Sequence, residues 1–438
     1  MTEHTSAFAG PTTRRDFLKA SAAAVATLSV VPAVHAAGSD ILKVGLIGCG
    51  GRGTGAATQA LHADPNVRLT AMGDMFEDRL QSSLATLKKN KEVGQKVEVK
   101  PAHCFTGFDA YQQVIASGVD VVLLCTPPHF RPLHLKAAVA AGKHVFCEKP
   151  MAVDAPGVRS VLATAEEAKR KALSLVAGFC WRYHPGMRET VKRLHDGAVG
   201  DIQVLQCTYN TGALWHRSLQ EKQEKGWSDM EWQLRNWLYF TWLSGDFNVE
   251  QHCHSLDKMA WVMKNEYPVK AVGVGGRQVR TEPDFGHIFD HHAVTYEYAN
   301  GQKCFSQCRQ QAGTAADISD HVYGTKGVCD IWASRGQGVI KSPMVAGGSW
   351  RSTPGGDMYQ VEHNELFASI RAGKPINDGE WMAKSTLMAI MGRMATYTGQ
   401  VITWEMALNS QEKLGPDKYE FGPLPIPPVA RPGVTKFL

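Results

Sequence analysis

The sequence predicts an α/β protein: a doubly wound parallel sheet at the N-terminal end, then an α+β domain built on a large, mostly antiparallel open sheet. Three observations predict it. Short apolar runs alternate with helical segments as far as Pro150, a glycine-rich loop follows the first run directly, and period-two patterning takes over from Ile202. The 438 residues allow two or three domains and a sizeable core. With 44% hydrophobic, 20% charged and 9% aromatic residues, the chain is globular; disordered, collagen-like and disulfide-stapled classes are excluded. A net charge of +5 is too mild to imply a nucleic acid or a membrane partner. The ten cysteines lie mostly within apolar runs and read as small buried hydrophobes, and Cys304 and Cys308, with no second pair nearby, do not make a zinc site.

Residues 1–36 read as an address. Arg14-Arg15-Asp16-Phe17-Leu18-Lys19 precedes a weakly apolar Ala/Val stretch from Ala20 to Ala33, and Val34-His35-Ala36 supplies small residues for cleavage. The arginine pair resembles the twin-arginine export type, so the mature protein is expected in the periplasm or otherwise exported, with the twin-arginine machinery as a partner. The stretch is too short, and too broken by Pro32, for a membrane span. Export in the folded state suits cofactor loading in the cytoplasm, and it explains reduced cysteines.

Residues 37–160 are expected to form a Rossmann domain. The strand Leu42–Ile47 runs into Gly48-Cys49-Gly50-Gly51-Arg52-Gly53, a Gly-x-Gly-x-x-Gly loop, with a helix expected over Thr54–Ala63. Gly48 makes the tight turn, Gly50 lets a pyrophosphate approach, and Gly53 lets helix pack on strand. The next strand, Val67–Met72, ends at Gly73-Asp74, about twenty residues on, where a carboxylate binds ribose hydroxyls and repels a 2′-phosphate. NAD is therefore favoured over NADP. Helices over Asp78–Lys89 and Phe108–Ser117, the strand Val119–Leu124 closed by Thr126-Pro127-Pro128, the helix Arg131–Ala140, and His144–Cys147 closed by Glu148-Lys149-Pro150 complete the alternation.

Thr126-Pro127-Pro128 followed by Cys147-Glu148-Lys149-Pro150-Met151 closely resembles the Gfo/Idh/MocA family of oxidoreductases. The likeness continues through Gly178-Phe179, Trp181-Arg182-Tyr183-His184-Pro185, Gly197-Ala198-Val199-Gly200-Asp201-Ile202, Arg371-Ala372-Gly373-Lys374-Pro375 and Thr398-Gly399-Gln400. The resemblance implies that Lys149 contacts the substrate hydroxyl and that Glu250-Gln251-His252-Cys253-His254-Ser255-Leu256-Asp257 carries the second signature. His254 is then the general acid/base, Glu250 replaces the usual aspartate, and Asp257 is structural. The family also implies a homodimer or homotetramer. Expected cofactor contacts are Gly48, Gly50, Gly51, Arg52, Gly53, Asp74, Thr126, Pro127, His129, Glu148 and Lys149.

The residues themselves agree with the catalytic assignment. Histidine titrates nearest neutrality, as proton exchange with a carbinol requires. If Gln251–Met263 is helical, Glu250 and His254 sit four apart and pair, while an adjacent lysine favours an alkoxide. A metal reading of His252, His254, His287, His291, His292, Glu250 and Asp290 is set aside, since His291 and His292 alternate across a strand and hydride transfer needs no metal. His252, His287 and Asp290 are expected to contact sugar or to be structural. The aromatic segment from Trp227 to Trp242 suits either a pyranose face, with Arg235 and Tyr239 as contacts, or an interface or core helix, and Arg182 and Tyr183 suit either substrate contact or a packing hinge between domains.

Residues 161–420 are expected to hold the substrate and oligomerisation domain. Its strands are Ile202–Tyr209, Val269–Val274, His291–Tyr298, Lys303–Arg309 and Gly327–Ile331, with helices Tyr359–Ala372 and Glu380–Thr398; Gly336 to Gly356 is read as loops. Residues 421–438 read as an extended, Pro-rich arm able to wrap another subunit. The function expected is NAD-dependent hydride transfer on a sugar, polyol or glycoside carbinol, with a tightly held, recycled cofactor because free NAD is scarce outside the cytoplasm. The alternative is a redox glycosidase that oxidises C3 transiently and eliminates the aglycone, with His252 and His254 as bases and Tyr239 as acid. A non-catalytic binding protein is disfavoured because Lys149 and His254 are both present.

Overall fold

In the computed structural model, which describes residues 40–333, 336–353 and 355–438, the first sheet has six parallel strands. They are β1 (Leu42–Ile47), β2 (Val67–Asp74), β3 (Cys104–Thr106), β4 (Val121–Leu124), β5 (His144–Cys147) and β6 (Leu175–Ala177), in the order β3-β2-β1-β4-β5-β6. Helices cover both faces, so β4 and β6 are buried at every position, which is why such strands read as unbroken apolar runs. The order reverses between β1 and β4, and the crevice above that switch point is where such sheets bind ligands. The signal segment and its cleavage point lie outside the described residues.

The second sheet has nine strands: β7 (Ile202–Thr211), β8 (Lys270–Gly276), β9 (His291–Glu297), β10 (Lys303–Gln310), β11 (Ser319–Gly324), β12 (Val328–Trp332), β13 (Gln337–Lys341), β14 (Ser349–Arg351) and β15 (Ile402–Thr403). Their order is β14-β13-β12-β11-β7-β10-β9-β8-β15, parallel between β7 and β10 and antiparallel elsewhere. One face buries Leu205, Cys207, Tyr296, Cys304, Val322 and Cys329. Against it packs the helix Gly379–Thr398, apolar and buried on nearly all sides, as a helix between two layers must be. The other face presents Val272, Val274, Phe305 and Tyr323 outward. All ten cysteines are free, eight of them buried.

Four expectations are corrected. The boundary at residue 160 falls inside the helix Ala155–Arg170, and the parallel sheet continues to β6. A fully buried three-residue strand carries no periodicity to announce it. The nucleotide-binding half also takes in the helix Met358–Arg371, whose Leu366, Phe367 and Ile370 join the core of Leu42, Leu69 and Phe146, so the two halves are not consecutive in sequence. The stretch read as loops contains β13 and β14, whose glycines hid the alternation. The C-terminal arm lies on its own chain: Gly433 N–H donates to the Thr398 carbonyl, and the Leu438 carbonyl accepts from Ser410 Oγ and Gln411 N–H.

Candidate functional site

The glycine loop begins where β1 ends. Gly48 has φ +98°, in the left-handed region, and a Cβ there would stand 2.6 Å from the carbonyl carbon of Cys125, so the β1 and β4 exits touch through backbone. A Cβ on Gly53 would lie 1.9 Å from the Gly48 oxygen, which only glycine avoids. Around Gly50 and Gly51 the reverse holds: a Cβ on Gly51 would meet nothing within 4 Å, and one on Gly50 only Arg79 Nη1 at 4.0 Å. That open space lies at the start of the helix Gly51–Ala63, which has no side-chain cap and no acidic residue in its first turn. Its unpaired N–H groups and positive end suit a pyrophosphate. The helix starts at Gly51, three residues before the expected Thr54.

Asp74 closes this corner. Its Oδ2 accepts from Cys49 N–H at 2.6 Å and its Oδ1 from Phe76 N–H at 2.9 Å, so the carboxylate ties the β2 exit to the glycine loop. Burial raises its pKa, and the two backbone donors oppose that rise. Lone pairs remain for ribose hydroxyls. The fit to a dinucleotide therefore rests on open glycines, an uncapped helix end and this carboxylate.

A cleft of about 640 Å³ runs from that corner to Lys149 and His254. Gly48, Gly50, Gly51, Arg52, Gly53, Asp74, Thr126, Pro127, Glu148, Lys149, Glu250 and His254 all line it. Lys149 Nζ donates to the Glu250 carbonyl at 2.7 Å and to Glu250 Oε1 at 3.1 Å. Burial alone would lower the lysine, but Glu250 offsets this and holds the ammonium above its usual range. His254 shifts the other way: burial first, then the charges of Lys149 and Lys258, push it well below its ordinary value. Its Nδ1 is sealed without a hydrogen-bond partner, which leaves Nε2 as the nitrogen toward the cleft. At neutral pH the pair is a charged lysine beside a neutral imidazole.

The expected pairing of Glu250 with His254 is corrected. The expected helix Gln251–Met263 is observed as Cys253–Val262, Glu250 ends a separate short helix, Phe247–Glu250, and Glu250 turns to Lys149 instead. Arg52 lines the cleft but is already engaged: its Nε donates to Glu148 Oε1 at 2.5 Å, its Nη2 reaches Glu362 Oε1 at 3.4 Å, and its guanidinium lies 4.8 Å from the Tyr359 ring.

Seven expected contacts are not on the cleft wall. His129 meets the Tyr419 hydroxyl at 2.7 Å, and burial pushes its pKa down to about 4. Tyr183 donates to Asp378 Oδ2 at 2.5 Å, and Arg235 holds Asp78 and Glu231. Tyr239 donates to the Leu214 carbonyl. His252 lies under the sheet on Ser306 Oγ at 2.6 Å, and Asp290 anchors a turn by accepting from the N–H groups of Gln278, Val279 and Arg280. Arg182 grips Asp257 through two nitrogens at 3.0 and 2.8 Å, with Trp381 beneath it at 3.9 Å. Polar residues near a signature can equally hold the scaffold, and sequence does not distinguish the two. Both members of the Arg182–Asp257 pair are buried, so Arg182→Met is expected to cost about 3–5 kcal/mol in urea unfolding, by stranding the carboxylate.

Cleft residues not anticipated include Arg79, Tyr359, Trp215 and Arg217. Tyr359 comes from the C-terminal third, and no local signal links it to the glycine loop. Trp237, inside the expected aromatic segment, does reach the wall. His291 and His292 point to opposite faces, and among the described residues no three His, Cys, Asp or Glu side chains gather as a metal cage.

Fold and site together define a dinucleotide-binding oxidoreductase. The model of the Gfo/Idh/MocA oxidoreductase family, with its NAD-binding Rossmann fold, matches residues 42–175, and that of the twin-arginine translocation signal matches residues 11–30. Residues 42–175 thus carry the NAD-binding Rossmann domain of the Gfo/Idh/MocA oxidoreductases, and the N-terminus carries a twin-arginine export signal. No helix among the described residues is long and apolar enough to cross a membrane. It is similar to inositol 2-dehydrogenase of Rhizobium meliloti (strain 1021), 23% identical over 75% of this chain and 86% of the relative. The inositol 2-dehydrogenase of Klebsiella pneumoniae (strain 342) is 27% identical over 78% of this chain and 89% of its own. In fold it resembles a levoglucosan dehydrogenase in complex with NADH and levoglucosan, with a TM-score of 0.64 at 18% identity over 83% of this chain and 99% of that one. The aldose-aldose oxidoreductase of Caulobacter crescentus has the same TM-score and coverages at 19% identity.

Proposed function

We propose that this protein transfers hydride between NAD and a secondary carbinol of a sugar, polyol or glycoside, with Lys149 and His254 as the catalytic residues. One observation carries the reading: a charged lysine and a neutral histidine line the same cleft as the open glycine loop and Asp74. Bound NAD supplies the hydride acceptor or donor. His254 takes the hydroxyl proton in oxidation and returns it in reduction, and Lys149, steadied by Glu250, stabilises negative charge on the substrate oxygen. The inositol, levoglucosan and aldose enzymes among the relatives point to a polyhydroxylated substrate.

Export argues for a cofactor held through many turnovers. Mass spectrometry of the purified protein should find NAD bound, and a panel of sugars, polyols and glycosides should then yield an oxidised product or a sugar pair exchanging redox state. A protein that holds no dinucleotide and turns over none of the panel sinks the proposal. Transient C3 oxidation and elimination draws less support, because Tyr239 and His252 both turn away from the cleft. The outward sheet face bearing Val272, Val274, Phe305 and Tyr323 suits self-association as a homodimer or homotetramer.

Asp74 is the proposed reader of the ribose. Asp74→Asn keeps an oxygen to accept one N–H and removes the charge that repels a 2′-phosphate. The ratio of NADP to NAD affinity should rise by at least about tenfold in calorimetric titration. An unchanged ratio would place discrimination elsewhere.

A further inference from the structure

We infer that residues 414–424 form a clasp across the adenosine side of the cleft, in which Tyr419 and Phe421 are positioning residues that slow escape of the cofactor. The inference rests on the retained-NAD reading above and names the part of this chain that does the retaining. Phe76 follows Asp74 by two residues, and with Phe108 and Phe130 it gives that end of the cleft an aromatic wall. None of these rings is backed by the nucleotide-binding half alone. Phe421 lies parallel to Phe76, with centroids 6.3 Å apart and planes within 8°, and 5.7 Å from Phe108. Tyr419 stands 5.8 Å from Phe108 and 6.0 Å from Phe130, with its hydroxyl on His129.

The segment is bonded to both walls. On the nucleotide side Leu414 N–H donates to Asp154 Oδ2 at 3.1 Å. On the other side Leu424 N–H donates to Asp229 Oδ2 at 3.1 Å, Gln233 Nε2 to the Leu424 carbonyl at 2.8 Å, and Met230 N–H to the Gly422 carbonyl at 3.1 Å. Arg235, four residues beyond Glu231, adds a parallel link by pairing with Asp78 while its guanidinium covers Phe76 at 3.8 Å. Phe76 is therefore held between an arginine of one wall and a ring of the clasp.

A ligand beneath two walls leaves only when they part, so bonds spanning both walls raise the barrier to release more than they alter the chemistry at the far end. Phe421 is 52% exposed and Tyr419 38% exposed, so the clasp covers the wall from outside and can lift without opening the core. Tight retention then needs no contact from the clasp to the reacting atoms. It also suits a protein that is loaded before export and meets little free NAD afterwards.

The test uses the full chain loaded with NADH, chased with excess NAD and followed by loss of bound-NADH fluorescence. Phe421→Ala is expected to release the cofactor at least about tenfold faster and to lose it on gel filtration, with kcat at saturating NAD unchanged. Phe421→Tyr should restore slow release, and Tyr419→Phe, which removes only the His129 bond, should give an intermediate rate. Release at the wild-type rate in both Phe421→Ala and Tyr419→Phe overturns the clasp and leaves the oxidoreductase reading standing. A fall of kcat in step with faster release also overturns it, as general loosening. Wild-type protein that binds no dinucleotide overturns the reading beneath.

Discussion

Lys149→Met is expected to lower kcat/KM for carbinol oxidation by about 10³-fold while dinucleotide affinity stays within a few-fold of wild type. Methionine matches the length of the lysine stem and removes the charge. The ammonium is held above its usual range by Glu250, so it is fully charged at every practical pH and its removal cannot be masked by titration. A donor aimed at an oxygen that gains negative charge acts mainly in the transition state, which is why the loss should fall on kcat. The nucleotide affinity should survive, because the glycine loop and Asp74 stand at the other end of the cleft. Activity within tenfold of wild type would remove Lys149 from the reacting centre. A Glu250→Gln variant separates charge from positioning, since the second bond of Lys149 goes to the Glu250 backbone carbonyl and survives the change.

His254→Ala is expected to cost about 10²–10⁴-fold in kcat, the usual range for a lost acid/base, and to change the pH profile as well. An unperturbed histidine would lose its basic form near pH 6.5. His254 sits well below that value through burial and the charges of Lys149 and Lys258. It is therefore neutral, and able to accept a proton, across neutral pH, and becomes charged only as pH falls through its lowered pKa. The acid limb of wild-type kcat should lie below pH 6.5 and vanish in His254→Ala. A wild-type limb at or above pH 6.5 would contradict the buried, lysine-flanked setting. The same shift bears on stability: the unfolded chain takes up a proton at His254 near pH 6.5 and the folded one does not, so that histidine erodes stability as pH drops below that point.

Much of the site is legible from local constraints. Gly48, Gly50 and Gly53 occupy positions whose backbone needs are visible as a spaced motif, and each need recurs in space as a positive φ, an open face or a Cβ that would collide. Lys149 and His254 come from signature order. Most of the misplaced residues share a different property. Arg182, Tyr183, Arg235, Tyr239, His252 and His129 are polar or aromatic and find partners far along the chain, while Asp290 anchors a local turn. Arg182 meets Asp257 and Tyr183 meets Asp378, separations over which no periodicity speaks.

The sequence by itself determined the export signal, the parallel sheet with its dinucleotide loop, and the second sheet. Strand alternation, turn glycines and motif spacing act over a few residues and leave their mark in order alone. The tertiary structure decided that Glu250 serves Lys149 rather than His254, that a helix after residue 357 completes the nucleotide-binding half, and that the C-terminal segment brings Tyr419 and Phe421 against Phe76, Phe108 and Phe130. Those outcomes depend on which distant surfaces can bury against each other and satisfy their polar groups, and that competition is settled only when the whole chain is packed.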